Sequence, residues 1–141
     1  MKGRWPMIVC DTPGLLVSFD AKNTLMCYEF KGFVEGEGYR HPLNESLKFL
    51  STRKIERILW DIRRMRVLTP EDQTWAEREW TPRLVKETHV RRSALLMPQS
   101  VLAQMTLKRV AERAAPVMEN EIETKHFDSR EAAEKWLRGV G

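Results

Sequence analysis

LLVSFD at Leu15–Asp20 is followed by a short polar break, Ala21-Lys22-Asn23, and then by TLMCYEF at Thr24–Phe30. Both flanking runs are rich in β-formers, and a polar break of this length suits a hairpin turn. Strand side chains alternate between faces. In the second run Met26, Tyr28 and Phe30 therefore share one face, while Leu25, Cys27 and Glu29 share the other. Upstream, Met7–Cys10 (MIVC) is the right length for an edge strand, closed by Thr12-Pro13-Gly14. The chain thus begins with antiparallel strands.

Downstream the period changes. Gly32 to Gly38 breaks the strand pattern, and Leu43, Leu47 and Leu50 then recur at helical spacing across Pro42–Leu50. Ile58-Leu59-Trp60 is a continuous apolar run ending at Asp61, the signature of a central strand covered on both faces. Thr69-Pro70-Glu71-Asp72 supplies an N-cap threonine, a proline at the first helical position and two acids at the positive end of the helix dipole. That helix is expected to pass Trp75 and Trp80 toward Lys86, with a kink or break at Pro82. Ala94–Met97 is a further apolar run, stopped by Pro98. Ser100 is read as the cap of a helix burying Val101, Leu102 and Met105, and Thr106 as the cap of another bearing Leu107, Val110 and Ala114. Glu121–Phe127 alternates like an edge strand. Asp128-Ser129-Arg130-Glu131 opens a last helix, in the manner of a capping box, that ends near Leu137 before Gly139. The order is β-β-(β)-α-β-α-β-α-β-α, an α/β fold in which a hairpin feeds β-α units with right-handed crossovers.

Length and composition agree with one domain. The chain has 141 residues, enough for a single core, here expected to span about residues 7–138. Net charge is +4, from 24 basic and 20 acidic residues, and the two signs interleave. Nothing concentrates the basic residues on a nucleic-acid-binding face; only Arg63-Arg64-Met65-Arg66 and Arg91-Arg92 are locally dense. No apolar run is long enough for stable membrane insertion, and the first residues lack the apolar stretch of a signal peptide, so a cytoplasmic protein is expected. Cys10 and Cys27 are too few for a disulfide framework and are read as reduced thiols.

The search for chemistry is mostly negative. His41, His89 and His126, assigned to a loop, a helix end and an edge strand, have no partners at metal-ligand spacing. There is no G-x-S-x-G elbow and no phosphate-binding glycine loop. Neither catalytic, metal nor cofactor residues are assigned, and no cofactor is expected. Asp61 is the acid that stands out. It ends a predicted central strand, at the sheet edge where ligands collect in open α/β folds, and Arg63, Arg64 and Arg66 follow on the same rim. A catalytic role would rest on Asp61 and these arginines alone. Trp75 and Trp80 diverge by about 140° on a straight helix, so one can pack on the sheet while the other faces a partner. The residues set aside as a ligand or partner surface are Asp61, Arg63, Arg64, Glu71, Trp75 and Trp80.

Ile58–Asp61, Leu68–Asp72, Trp75, Glu79-Trp80, Pro82-Arg83, Ala94–Pro98, Phe127, Ala132-Ala133 and Trp136-Leu137 together resemble the bacterial STAS-domain proteins called SpoIIAA-like, most of them without known function. The resemblance spans Leu25 to Leu137. It implies a STAS (SpoIIAA-like) fold, with a mixed sheet of 4–6 strands, an N-terminal antiparallel hairpin and successive β-α units. It also implies action through protein binding. STAS antagonists of anti-sigma factors carry a phosphorylatable serine in an Asp-Ser-Ser-Gly segment. In this chain Thr69–Asp72 lies over that segment, with Pro70 and Glu71 at the serine positions and Asp61 at the strand-end aspartate. The phosphoserine switch is therefore not carried over. The expectation is a non-enzymatic protein-interaction or regulatory module, with a protein partner or a second copy as a homodimer. A lipid or small apolar ligand held by Phe49, Trp60, Trp75 and Trp80 is the alternative.

Overall fold

The computed structural model describes residues 7–98, 100–102, 104, 105, 108, 109, 112 and 121–139. Six strands form one sheet whose spatial order is the chain order. They are β1 (Met7–Asp11), β2 (Leu15–Asp20), β3 (Leu25–Phe30), β4 (Arg57–Asp61), β5 (Arg92–Leu96) and β6 (Glu123–Phe127). β1, β2 and β3 pair antiparallel, and β3 to β6 pair parallel. The mixed sheet with an antiparallel start is the one expected from the sequence.

The helices are α1 (Glu37–Arg53), α2 (Pro70–Trp75), α3 (Thr81–Glu87) and α4 (Arg130–Leu137), with a π-helical segment, Ala76–Trp80, joining α2 to α3. Positions 101, 102, 104, 105, 108, 109 and 112 are also helical. Thr69 caps α2 as expected, its hydroxyl accepting the Asp72 N–H at 3.2 Å. Ser129 caps α4 by accepting from Ala132 N–H at 3.1 Å, so the third helical position is Ala132 and the reciprocal acid of a capping box is missing.

Two expectations for α1 are corrected. The helix begins at Glu37, so Pro42 and His41 lie inside it. Gly36 makes the early start feasible: it sits at φ 56° just before the helix, a conformation that costs glycine little. Pro42 has no N–H for the Gly38 carbonyl, and the Thr12 hydroxyl approaches that oxygen at 3.5 Å instead. Pro82 has the predicted effect in a specific form. It cannot donate to the turn before it, and there the Thr81 N–H reaches back to Ala76 O, the wider spacing of a π turn.

The sheet buries both faces unequally. Leu15, Val17, Phe19, Met26, Tyr28, Phe30 and Ile58 pack under α1 and the α2–α3 helical run, with Leu43, Leu47, Leu50 and Leu84 from the helices. On the opposite face Leu25, Cys27, Leu59, Ala94 and Leu96 meet Ala133 and Leu137 of α4. Val101, Leu102 and Met105, expected to be buried, are each more than half exposed. Thr106, Leu107, Val110 and Ala114 lie outside the described residues.

Candidate functional site

β3, β4 and β5 run parallel, so their carboxyl ends share one edge of the sheet. The segments leaving that edge carry Phe33, then Arg63 to Val67, then Val101, Leu102 and Met105. Seven large apolar side chains are exposed among the described residues, and five of them, Phe33, Val67, Val101, Leu102 and Met105, fall on these segments. Arg64 and Arg66 are exposed between them. An apolar and basic mixture gathered at one edge is a surface suited to a partner.

The edge is held in shape by polar clamps. Ile62 donates to Leu96 O at 3.2 Å and Met65 donates to Ile62 O at 3.3 Å, fixing the start of the β4–α2 loop. Buried Leu68 and the Thr69 cap fix its end. Asp61 faces Arg63 in a two-pronged ion pair, with Arg63 Nε on Oδ1 at 2.9 Å and Nη2 on Oδ2 at 2.8 Å; the Arg63 backbone N–H adds a third bond to Oδ1 at 3.3 Å. Burial alone would push the Asp61 carboxyl up. The Arg63 hydrogen bonds and charge, with a smaller contribution from Arg130, outweigh that and hold it below the usual carboxylate range. The Asp61 bond raises Arg63 in turn. Asp61 is thus engaged by its neighbour and is not an isolated acid waiting for a proton.

Asp72 supplies a second clamp that the sequence reading missed. It is 1% exposed and accepts Gly36 N–H at 2.9 Å and Arg40 Nε at 2.8 Å. The first turn of α2 is thereby tied to the loop after β3. Arg40 continues over the Trp75 ring at 5.3 Å. The spacing of Asp72 from Gly36 and Arg40 along the chain left no local signal for this contact.

The tryptophans separate differently from the straight-helix expectation. Trp80 is 4% exposed; its indole N–H donates to Leu43 O at 2.9 Å, and its ring meets Trp60 edge-on at 5.7 Å. Trp80 is therefore a core residue and is withdrawn from the partner surface. Trp75 is half-buried against Tyr39 at 5.8 Å. The wider π turn brings both rings toward the interior, so neither projects freely. Trp60 stacks on Tyr28 at 3.9 Å, and the Tyr28 hydroxyl donates to Ser46 at 2.8 Å. Phe49 lies apart from this group, against Phe19 at 5.3 Å. Glu71 is exposed at the first turn of α2, and Arg64 is exposed in the loop before it.

Behind the edge, on the α4 face, Asp61 also borders a cavity of about 260 Å³ shared with Leu16, Ser18, Asp20, Cys27, Glu29 and Arg130. Cys27 is free, and burial pushes its thiol up to about 11 despite the Arg130 guanidinium beside it. It is a neutral thiol at ordinary pH. Among the described residues no group of His, Cys, Asp and Glu is placed to hold a metal ion, and no helix is long and apolar enough to cross a membrane.

The SpoIIAA-like family model matches residues 25–138, from the start of β3 to just past α4. The chain belongs to the SpoIIAA-like family. Its fold is similar to the crystal structure of an uncharacterized protein of the DUF3478 family with a SpoIIAA-like fold, from Shewanella loihica PV-4, at a TM-score of 0.59 and 17% identity, covering 94% of this chain and 92% of that one. At that identity the likeness is one of fold. No curated protein matches the chain significantly. The SpoIIAA-like match excludes β1 and β2, which extend the sheet on its antiparallel side, and β2 supplies part of the cavity wall.

Proposed function

We propose that the protein is a non-enzymatic interaction or regulatory module whose working surface is the carboxyl edge of its parallel strands. The observation that carries this reading is the gathering of Phe33, Val67, Val101, Leu102 and Met105 on segments leaving one edge, with Arg64 and Arg66 among them. Interfaces favour an apolar centre with arginine, held on a scaffold that does not have to be ordered on binding. The Asp61–Arg63 and Asp72–Arg40 clamps provide that scaffold. Asp61 and Arg63 serve as support in this reading, and Arg64, Glu71 and Trp75 flank the contact surface.

The partner is a protein with an acidic, partly apolar face. A two-fold homodimer through this edge would set its own arginines against their copies, which costs energy unless acids intervene. Regulation by serine phosphorylation has no acceptor at Pro70 and Glu71. A second reading draws on the helical stretch with Val101, Leu102 and Met105 exposed: the same apolar side chains would suit a lipid or other apolar ligand.

Site-specific photocrosslinking in the native host tests the proposal. A crosslinker at Phe33 or Val67 should give a discrete adduct with another protein, and one at Lys22, in the β2–β3 turn at the opposite edge, should not. Identical adducts from all positions, or none, would count against a dedicated edge surface. Adducts to lipid from Phe33 and Val67 would favour the second reading.

A further inference from the structure

Strand order equal to chain order puts the β3–β4 and β4–β5 crossovers on one face of the sheet, because such crossovers share one hand. The other face receives α4, which packs on β4, β5 and β6. A helix about 10 Å across covers only two or three strands spaced about 4.8 Å apart. Among the described residues α4 reaches Leu25 and Cys27 of β3 but does not extend over Leu16, Ser18 and Asp20 of β2, and the 260 Å³ cavity lies along that margin.

The cavity is a trough with an ordered chemistry. Ser18 pairs with Cys27 across β2 and β3, and Cys27 with Leu59 across β3 and β4; this row is the floor. Asp20 stands at one end, and Glu29, opposite Leu16, stands at the other. Four residue steps along β2 separate Leu16 from Asp20, and Glu29 lies one strand across, so the backbone positions of the two acids are about 14 Å apart.

Charge compensation along the trough is uneven. Arg63 is spent on Asp61. Arg130 is held by Glu134 at 2.7 Å and rests its Nη2 on the Cys27 sulfur at 3.5 Å. Each guanidinium already has a carboxylate. Among the described residues Asp20 accepts from the backbone and side-chain N–H groups of Asn23, at 3.2 and 2.8 Å, and pairs with no cation. Glu29 makes no side-chain hydrogen bond or ion pair among the described residues, and its charge acts on the more distant Arg63. Between these acids Ser18, 7% exposed as a residue, lines the cavity, and its hydroxyl has no hydrogen-bond partner among the described residues. Its oxygen faces the cavity as a free acceptor, and a ligand donor can take the place of water there.

We infer that this trough binds a linear polyamine. Its terminal ammonium groups lie on Asp20 and Glu29, its central N–H donates to Ser18 Oγ, and its methylenes run along Leu16 and the edge of the neutral Cys27 thiol. The acids are too dispersed for a metal ion, and the Glu134 carboxylate offsets the Arg130 charge beside the central nitrogen. The inference is independent of the edge surface proposed above, since the trough lies on the opposite, α4 side of the sheet.

Calorimetry on the full chain at pH 7 and near-physiological salt tests it with two probes of equal chain length, spermidine and 1,8-diaminooctane. Spermidine is expected to bind about tenfold more tightly, the worth of one charge-assisted hydrogen bond. Ser18→Ala should erase that difference while leaving diaminooctane binding unchanged. Glu29→Gln and Asp20→Asn, near-isosteric changes at partly exposed sites, should each weaken spermidine by about tenfold with the thermal transition retained. No binding, equal affinity of the wild type for both probes, or spermidine binding that survives both carboxylate variants would overturn the proposal.

Discussion

Asp61, the acid that stands out in the sequence, is in place engaged by its near neighbour. Its carboxylate takes three hydrogen bonds from Arg63 and is held ionised by them. Because its folded-state pKa is depressed, its stabilising contribution is present above the unfolded value of about 3.9 and is lost as pH falls through the lower folded value. Asp61→Asn should therefore lower the urea midpoint at neutral pH, by a loss of about 1–3 kcal/mol. The deficit should shrink as pH falls below about 4, where the unfolded-state carboxylate takes up its proton first, and vanish once the folded one is protonated at its lower value. A deficit independent of pH would remove the charged pair from the account. Cys27 makes a second prediction at this scale. With its thiol pushed up to about 11, native protein at pH 8 should react with a thiol reagent about two orders of magnitude more slowly than urea-unfolded protein. Equal rates would mean that the α4 face is open to the reagent.

Among elements, the helical run from Pro70 to Glu87 was the best signposted in the sequence and still the one that departed most in detail. Its start was fixed by local chemistry, since Thr69 and Pro70 act through the first turn alone. Thr69→Ala should cost about 1 kcal/mol, read as a drop in thermal midpoint, and a neutral result would assign the start to Asp72 and its Arg40 contact instead. Its interior was less legible. The missing Pro82 N–H can be absorbed by a kink, a break or a wider turn, and which one occurs depends on what the rings beneath require. Here a π turn lets Trp80 reach Leu43 O while Trp75 packs on Tyr39. α1 shows the same limit: a helix can begin at Glu37 only because Gly36 takes a positive φ and Asp72, distant in the chain, accepts its N–H. Strands β2 to β5 were readable because alternation or continuous apolar runs carry their burial directly.

For the whole molecule, topology decides what the surface offers. The hairpin followed by β-α units was visible in the order of patterns, and the SpoIIAA-like match agrees with it. The placement of Leu25, Cys27 and Glu29 on one face was visible too. What α4 would leave uncovered was not, because that depends on the number of strands, the hand of the crossovers and the width of one helix. The trough and the apolar edge are both consequences of that arrangement. The edge reading makes the stronger claim about function, so its variants must leave the fold alone: Arg66 and Val67 are exposed and outside the helices and strands, and Arg66→Glu with Val67→Asp should shift stability by no more than about 0.5 kcal/mol. The most direct measurement is the affinity of this double variant, against wild type, for the protein crosslinked through Val67. Loss of binding by about tenfold or more at an unchanged thermal midpoint is the expected result. Equal affinity of the two proteins for that partner would contradict an edge-centred interaction module.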